Sequence, residues 1–156
     1  MNVADGSGGS RYATSFKEQL FGGKCEVEIV VDLSTRVASS VLSMTSFLST
    51  RPTFSISLEN LKQLARGVSE LKNHAKILSA LIEGATDHQL NCTAGGATAI
   101  VVQPPGRPAR FTLTIGAFHR EGQLDELDTR DIDEAIKRIE SLQGRVVQKV
   151  AGTTRA

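Results

Sequence analysis

A chain of 156 residues, 40% apolar and 22% charged, is the size and make-up of one folded domain whose core closes without metals or disulfides. Its 18 Lys plus Arg nearly cancel its 17 Asp plus Glu, leaving a formal charge of +1; the basic excess of most nucleic-acid modules is absent, although a neutral total can hide a basic face. Aromatic residues make up only 4%, with no Trp, which leaves little material for large stacking platforms.

Residues 1–15 are rich in Gly and Ser and lack the apolar stretch of a signal peptide, so they read as a flexible leader ahead of a single α+β domain over 16–150. No apolar run approaches the roughly 18 residues of a membrane-spanning helix, and the cytoplasm is the expected compartment. In Lys24 to Leu33 (KCEVEIVVDL), Cys25, Val27, Ile29, Val31 and Leu33 alternate with mostly charged neighbours, the period-two pattern of a strand with one wet face. Ala38 to Leu48, rich in Ser and Thr, reads as a second strand, and Arg51-Pro52 breaks it. After Phe54 and Ile56 the period changes. Leu58, Leu61, Leu64, Ala65, Val68 and Leu71 form a helical stripe behind a Ser57 cap, weakened by about 1 kcal/mol at Gly67.

Residues 74–92 are ambiguous: AKILSALIEG could extend the helix or form a strand, and DHQLNC looks like a short strand, so two strands are favoured. Gly95-Gly96 opens the strand ATAIVVQ, the PPGRP run forces a turn, and ARFTLTIGAF follows as one long strand. Asp128 or Thr129 caps a last helix striped by Ile132, Ala135, Ile136, Ile139 and Leu142 and ended by Gly144, with a short strand and a polar tail over 145–156.

Sliding the chain by 71 residues pairs Ile29/Ile100, Val30/Val101, Val31/Val102, Arg36/Arg107, Ala38/Ala109, Leu42/Leu113, Phe47/Phe118 and Leu71/Leu142, against about three identities expected from average usage. The pattern suggests a repeated strands-then-helix unit, with halves near 16–73 and 74–145.

Reactive groups are sparse. His74, His88 and His119 form no i,i+3 or i,i+4 pair that would ligate a metal. His88 and Cys92 would lie about 13 Å apart on a strand, too far for a nucleophile and its base. Cys25 and Cys92 sit in apolar patterns as structural thiols, and Asn91-Cys92-Thr93 is a chance sequon. Gly22-Gly23-Lys24 resembles the end of a phosphate loop, but no helix follows, so it reads as a hairpin turn. No catalytic residue, metal or cofactor is expected. Carboxylates crowd Glu121 to Glu134, where the helix dipole and solvent stabilise them; the sharper reading makes Glu121, Asp125, Glu126 and Asp128 a patch for a basic protein partner. Lys24, Arg36, Arg107 and Arg110 stand at strand ends or turns, where they could grip phosphates.

FSISLENLKQLARGVSEL, then strands, then TLTIGAFHREGQLDELDTRDIDEAIKRIESL resembles WapI-like bacterial immunity proteins over residues 54–143. That resemblance implies a non-catalytic module that binds and neutralises a toxin. The duplicated strands-then-helix plan, with FSISLENL at its strand-to-helix junction and Gly23-Lys24-Cys25 in place of a Lys-containing strand motif, also resembles Whirly-type single-stranded nucleic-acid binders. The leading expectation is a protein-binding module, homodimeric in one version; nucleic-acid binding through the sheet is the alternative.

Overall fold

The computed structural model describes residues 2–6, 9–45, 52–81, 88–104 and 106–153. Five strands come first, β1 (Asn2–Gly6), β2 (Gly9–Leu20), β3 (Gly23–Asp32), β4 (Ala38–Thr45) and β5 (Pro52–Ser57), followed by helix α1 (Leu58–Leu81). Four more strands, β6 (His88–Ala94), β7 (Ala97–Gln103), β8 (Arg110–Ile115) and β9 (Phe118–Gln123), lead through a 3-10 turn at Leu124–Glu126 into α2 (Arg130–Thr153). Each set of strands forms an antiparallel meander in chain order, one sheet of five and one of four, so the α+β class read from the pattern holds.

The chain divides into two compact units, one of residues 1–58 with 134–156 and one of 59–133. In the first, Val27, Ile29 and Val31 of β3, Leu42 of β4 and Ile56 of β5 bury one face of the five-stranded sheet. There α2 is tied to it by Ser40 Oγ donating to Gln143 Oε1 at 2.5 Å and by Arg138 Nε donating to Glu18 Oε1 at 3.0 Å. In the second unit α1 belongs to the four-stranded sheet. Lys72 Nζ donates to the Leu127 carbonyl at 2.7 Å, and a Cβ at Gly67 would overlap Cys92 Sγ. The glycine that costs the helix propensity therefore lets helix and strand approach. Each helix thus packs on the sheet that does not directly precede it in the chain.

Four expectations are corrected. Residues 1–15 contain β1 and much of β2, paired from Asn2↔Ala13 to Gly6↔Gly9; the Gly/Ser composition hid a period-two run in which Tyr12 and Leu20 are buried and Phe16 half-buried. Residues 74–81 continue α1, because Ala75 prolongs the stripe of Val68 and Leu71 and no Gly or Pro intervenes. Residues 145–153 continue α2: Val146 and Val150 extend the stripe of Ile139 and Leu142, and the exposed Gly144 is tolerated. ARFTLTIGAF is a hairpin, with Gly116 and Ala117 turning between Ile115 and Phe118. Residues 46–51, which hold Phe47, Leu48 and Arg51, and residues 82–87, within the AKILSALIEG–DHQLNC expectation, lie outside the described residues.

The 71-residue register survives in part. Leu61, Leu64, Val68 and Leu71 of α1 match Ile132, Ala135, Ile139 and Leu142 of α2, all buried, and Leu42 matches Leu113 inside β4 and β8. In β3 and β7 it fails by one residue: Ile29 and Val31 are buried, whereas Ile100 is half-buried and Val102 exposed on the opposite face. The β7–β8 connection is longer by one, and a single residue flips every side chain of a strand. An offset of 70 restores the phase there, setting Ile29 and Val31 against Ala99 and Val101.

The β3–β4 turn is organised by Asp32, whose Oδ1 accepts from Ser34 N at 2.9 Å, Ser34 Oγ at 2.7 Å and Thr35 N at 3.0 Å. The Ser34 hydroxyl and these amides hold its carboxyl at about 2. A folded value below the unfolded one means that Asp32 stabilises the fold fully above the ordinary Asp range, and that this contribution is lost as pH falls toward 2. Urea melts of Asp32→Ala beside the parent should show a deficit at neutral pH that narrows steadily below pH 4; a deficit independent of pH would rule out the charged acceptor.

Candidate binding surface

The outer face of the four-stranded sheet is set by register. Across β6, β7, β8 and β9 it presents three rows: Thr93, Thr98, Thr114 and His119; Asn91, Ile100, Thr112 and Glu121; Gln89, Val102, Arg110 and Gln123. Hydroxyls and amides dominate, and Val102 is 39% exposed. The one carboxylate, Glu121, lies 3.4 Å from His119 Nε2, and His119 Nδ1 is 3.3 Å from Thr114 Oγ1. The corresponding face of the five-stranded sheet differs, because its charges alternate in sign across strands: Lys17 opposes Glu26 and Arg11 opposes Asp32.

At one end of the four-stranded sheet the PPGRP loop is pinned from beneath. Gln103 is buried; its Oε1 accepts from Ser79 Oγ of α1 at 2.8 Å, and its Nε2 donates to the carbonyls of Pro104 at 3.2 Å and Arg107 at 2.6 Å. The Arg107 amide closes the turn onto the Pro104 carbonyl at 3.3 Å. Arg107 and Arg110 are both exposed at this end. Lys24 and Arg36, in contrast, belong to the other unit and flank opposite ends of β3, about 26 Å apart along the strand. Arg36 takes a left-handed φ of 61°, a conformation that Gly106 (φ 66°), not Arg107, adopts in the second turn. Of the four basic candidates, the fold brings only Arg107 and Arg110 together.

The acidic candidates do not form one helix entrance. Glu121 lies on β9, Asp125 and Glu126 lie on the 3-10 turn, and α2 begins only at Arg130. Glu126 Oε1 accepts from Gln123 N at 3.1 Å. Arg120 gathers the rest: Nη1 donates to Asp128 Oδ1 and Asp131 Oδ2, both at 3.1 Å, Nη2 donates to the Glu126 carbonyl at 2.9 Å, and the guanidinium lies 5.7 Å from the centre of the Phe111 ring. Partial burial disfavours the Asp128 charge, but the Arg130 amide and the Arg120 guanidinium outweigh it and hold the carboxyl below its ordinary value. Glu126 and Asp128 are thus engaged around the turn, Glu121 lies beside His119, and Asp125 is exposed.

His88 and Cys92 both lie on β6, four residues apart and on the same face, the separation expected for a strand. Burial, with Glu70 nearby, pushes the Cys92 thiol up, and burial also pushes up Cys25, whose Sγ–H donates to the Leu20 carbonyl at 3.4 Å. Among the described residues no three His, Cys, Asp or Glu side chains converge to hold a metal, and no helix is long and apolar enough to cross a membrane. Sequence reasoning passed over Gln103 and placed Arg120 only among the arginines at strand ends or turns, whereas it lies within β9. Gln103 carried a signal: it is the one polar residue on the inward phase of Ala97, Ala99 and Val101. Comparison with protein-family models, with curated proteins and with solved structures gave no match.

Proposed function

We propose that this chain is a binding module for single-stranded nucleic acid, carried on the outer face of the four-stranded sheet with Arg107 and Arg110 as its phosphate contacts. The observation that carries the reading is the arrangement of elements: after β1, four antiparallel strands and one long amphipathic helix occur twice, the plan on which the Whirly-type resemblance rests. The chosen face supports it, with amide and hydroxyl groups suited to base edges, a single carboxylate beside a histidine, and two arginines at one end. With one imidazole and no other ring on that face, stacking contributes little, so binding is weak and strongly dependent on salt.

Fluorescence anisotropy with short labelled single-stranded DNA and RNA at low salt tests it. Each phosphate contact contributes about 0.7 to the slope of log affinity against log salt, so Arg107→Ala with Arg110→Ala should lower that slope by about 1–2 and weaken binding roughly tenfold. Absence of salt-sensitive binding to either polymer removes the reading. A protein-binding module, immunity-like with a toxin as partner, is the second reading; it is favoured by the near-neutral charge and the exposed Val102, since protein interfaces mix polar and apolar surface in this way. Recovery of a stoichiometric protein partner, together with no oligonucleotide binding, would select it.

A further inference from the structure

Open sheet edges are kept from pairing by brevity, charge, proline or bulges. Among the described edge strands, β1 has five residues, β5 begins at Pro52 beside a register irregularity at Met44/Thr45, and β9 carries Arg120 and Glu121. Strand β6 has none of these devices. Its seven residues, HQLNCTA, include no Asp, Glu, Lys, Arg or Pro, and it pairs with β7 without a break from His88↔Gln103 to Ala94↔Ala97.

The turn fixes which backbone groups β6 leaves unused. Gly95 (φ 59°) and Gly96 (φ 86°) make a two-residue turn in which both positions need a left-handed backbone, so the flanking Ala94 and Ala97 exchange both of their hydrogen bonds. Stepping back in twos, Ala94, Cys92, Leu90 and His88 spend their N–H and C=O groups on β7. Those of Thr93, Asn91 and Gln89 point to the open edge, and the three side chains are exposed. A cleft of about 400 Å³, lined by Glu70 and His74 of α1 and by Leu90 to Thr93, lies beside this strand.

We propose that the occupant of this edge is a second copy of the chain, with the two β6 strands pairing antiparallel about a twofold axis through Asn91. The sequence of β6 is complementary to itself in that register. Gln89 faces Thr93 and Asn91 faces Asn91 on the outer side, Leu90 faces Cys92 on the inner side, and no like charges meet. Two bonds from each of the three outward pairs give about six backbone hydrogen bonds, and the two four-stranded sheets run on as one. The dimer then carries two copies of the proposed binding face on one continuous surface.

Sedimentation of the full chain without nucleic acid tests this apart from the binding reading. The parent should approach twice the 16.7 kDa of one chain as concentration rises. Asn91→Lys, exposed in the single chain but setting like charges face to face on the axis, should halve that mass while the circular dichroism spectrum is unchanged. Asn91→Cys, in a chain with Cys25→Ala and Cys92→Ala, should cross-link to a covalent dimer on mild oxidation, since facing residues of such a pair lie about 5.5 Å apart, within disulfide range. A parent of single-chain mass at every concentration, a dimer unmoved by Asn91→Lys, or no cross-link from Asn91→Cys would each overturn the proposal.

Discussion

Gln103→Leu should lower stability by about 2–3 kcal/mol, a fall of several degrees in Tm for a chain of this length. Leucine matches glutamine roughly in volume, so the loss comes from hydrogen bonding. Ser79 Oγ and the Arg107 carbonyl lose their partner together, while the Pro104 carbonyl keeps only the Arg107 amide. Ser79→Ala removes only one of these bonds and should cost about 1 kcal/mol. If the PPGRP loop is held by this amide, Gln103→Leu should also weaken the oligonucleotide binding assigned to Arg107 even though that arginine remains. A Gln103→Leu chain whose chemical unfolding matched the parent within about 0.5 kcal/mol would show that the loop holds itself.

Arg120→Ala should cost about 2 kcal/mol. Cutting one partner from a buried ion pair costs about 3–5 kcal/mol, but the Arg120 side chain is 22% exposed and Asp128 42%, so solvent screening reduces the figure. The variant leaves Asp128 and Asp131 facing each other without a cation, frees the Glu126 carbonyl and uncovers the Phe111 ring. Because the Asp128 carboxyl is held low, its share of the stability is complete above the ordinary Asp range and declines as pH falls below it. The gap between Arg120→Ala and the parent in guanidinium melts should therefore be widest near neutrality and shrink in acid. Arg120→Lys should recover part of it, since an ammonium keeps the charge but not the fork that reaches both aspartates.

How much of this was legible in the residues depended on whether a signal was local. The alternation in Lys24 to Leu33 marked β3 because its outward residues other than Val30 are charged, and the stripe from Ile132 to Leu142 marked α2 because its period is unbroken. Tyr12, Phe16 and Leu20 alternate as well, but Ser, Thr and Gly around them carry the compositional mark of a linker, and only pairing with β3 makes that segment a strand. Helix ends were misjudged where a single glycine, Gly144, weighed more than two further turns of buried valine. The candidate surface was less legible than the fold. Arg107 and Arg110 were picked out by their turn, but nothing in the chain separates them from Lys24 and Arg36; the sheet does that. The acidic run reads as one patch in the sequence, but Arg120, the residue directly before it, engages Asp128 and the Glu126 carbonyl within the fold.

The first unit joins residues 1–58 to residues 134–156, which hold most of α2 and resume 76 positions later. During synthesis its five strands leave the ribosome with their apolar side uncovered, and the piece that seals them is made only after the whole of the second unit. The central stretch, 59–133, is continuous and can close earlier. Such long-range closure slows folding, and the waiting sheet is vulnerable to capture by neighbouring chains, including the free α2 of another copy. Truncation after residue 133 should accordingly yield insoluble material instead of a smaller folded protein.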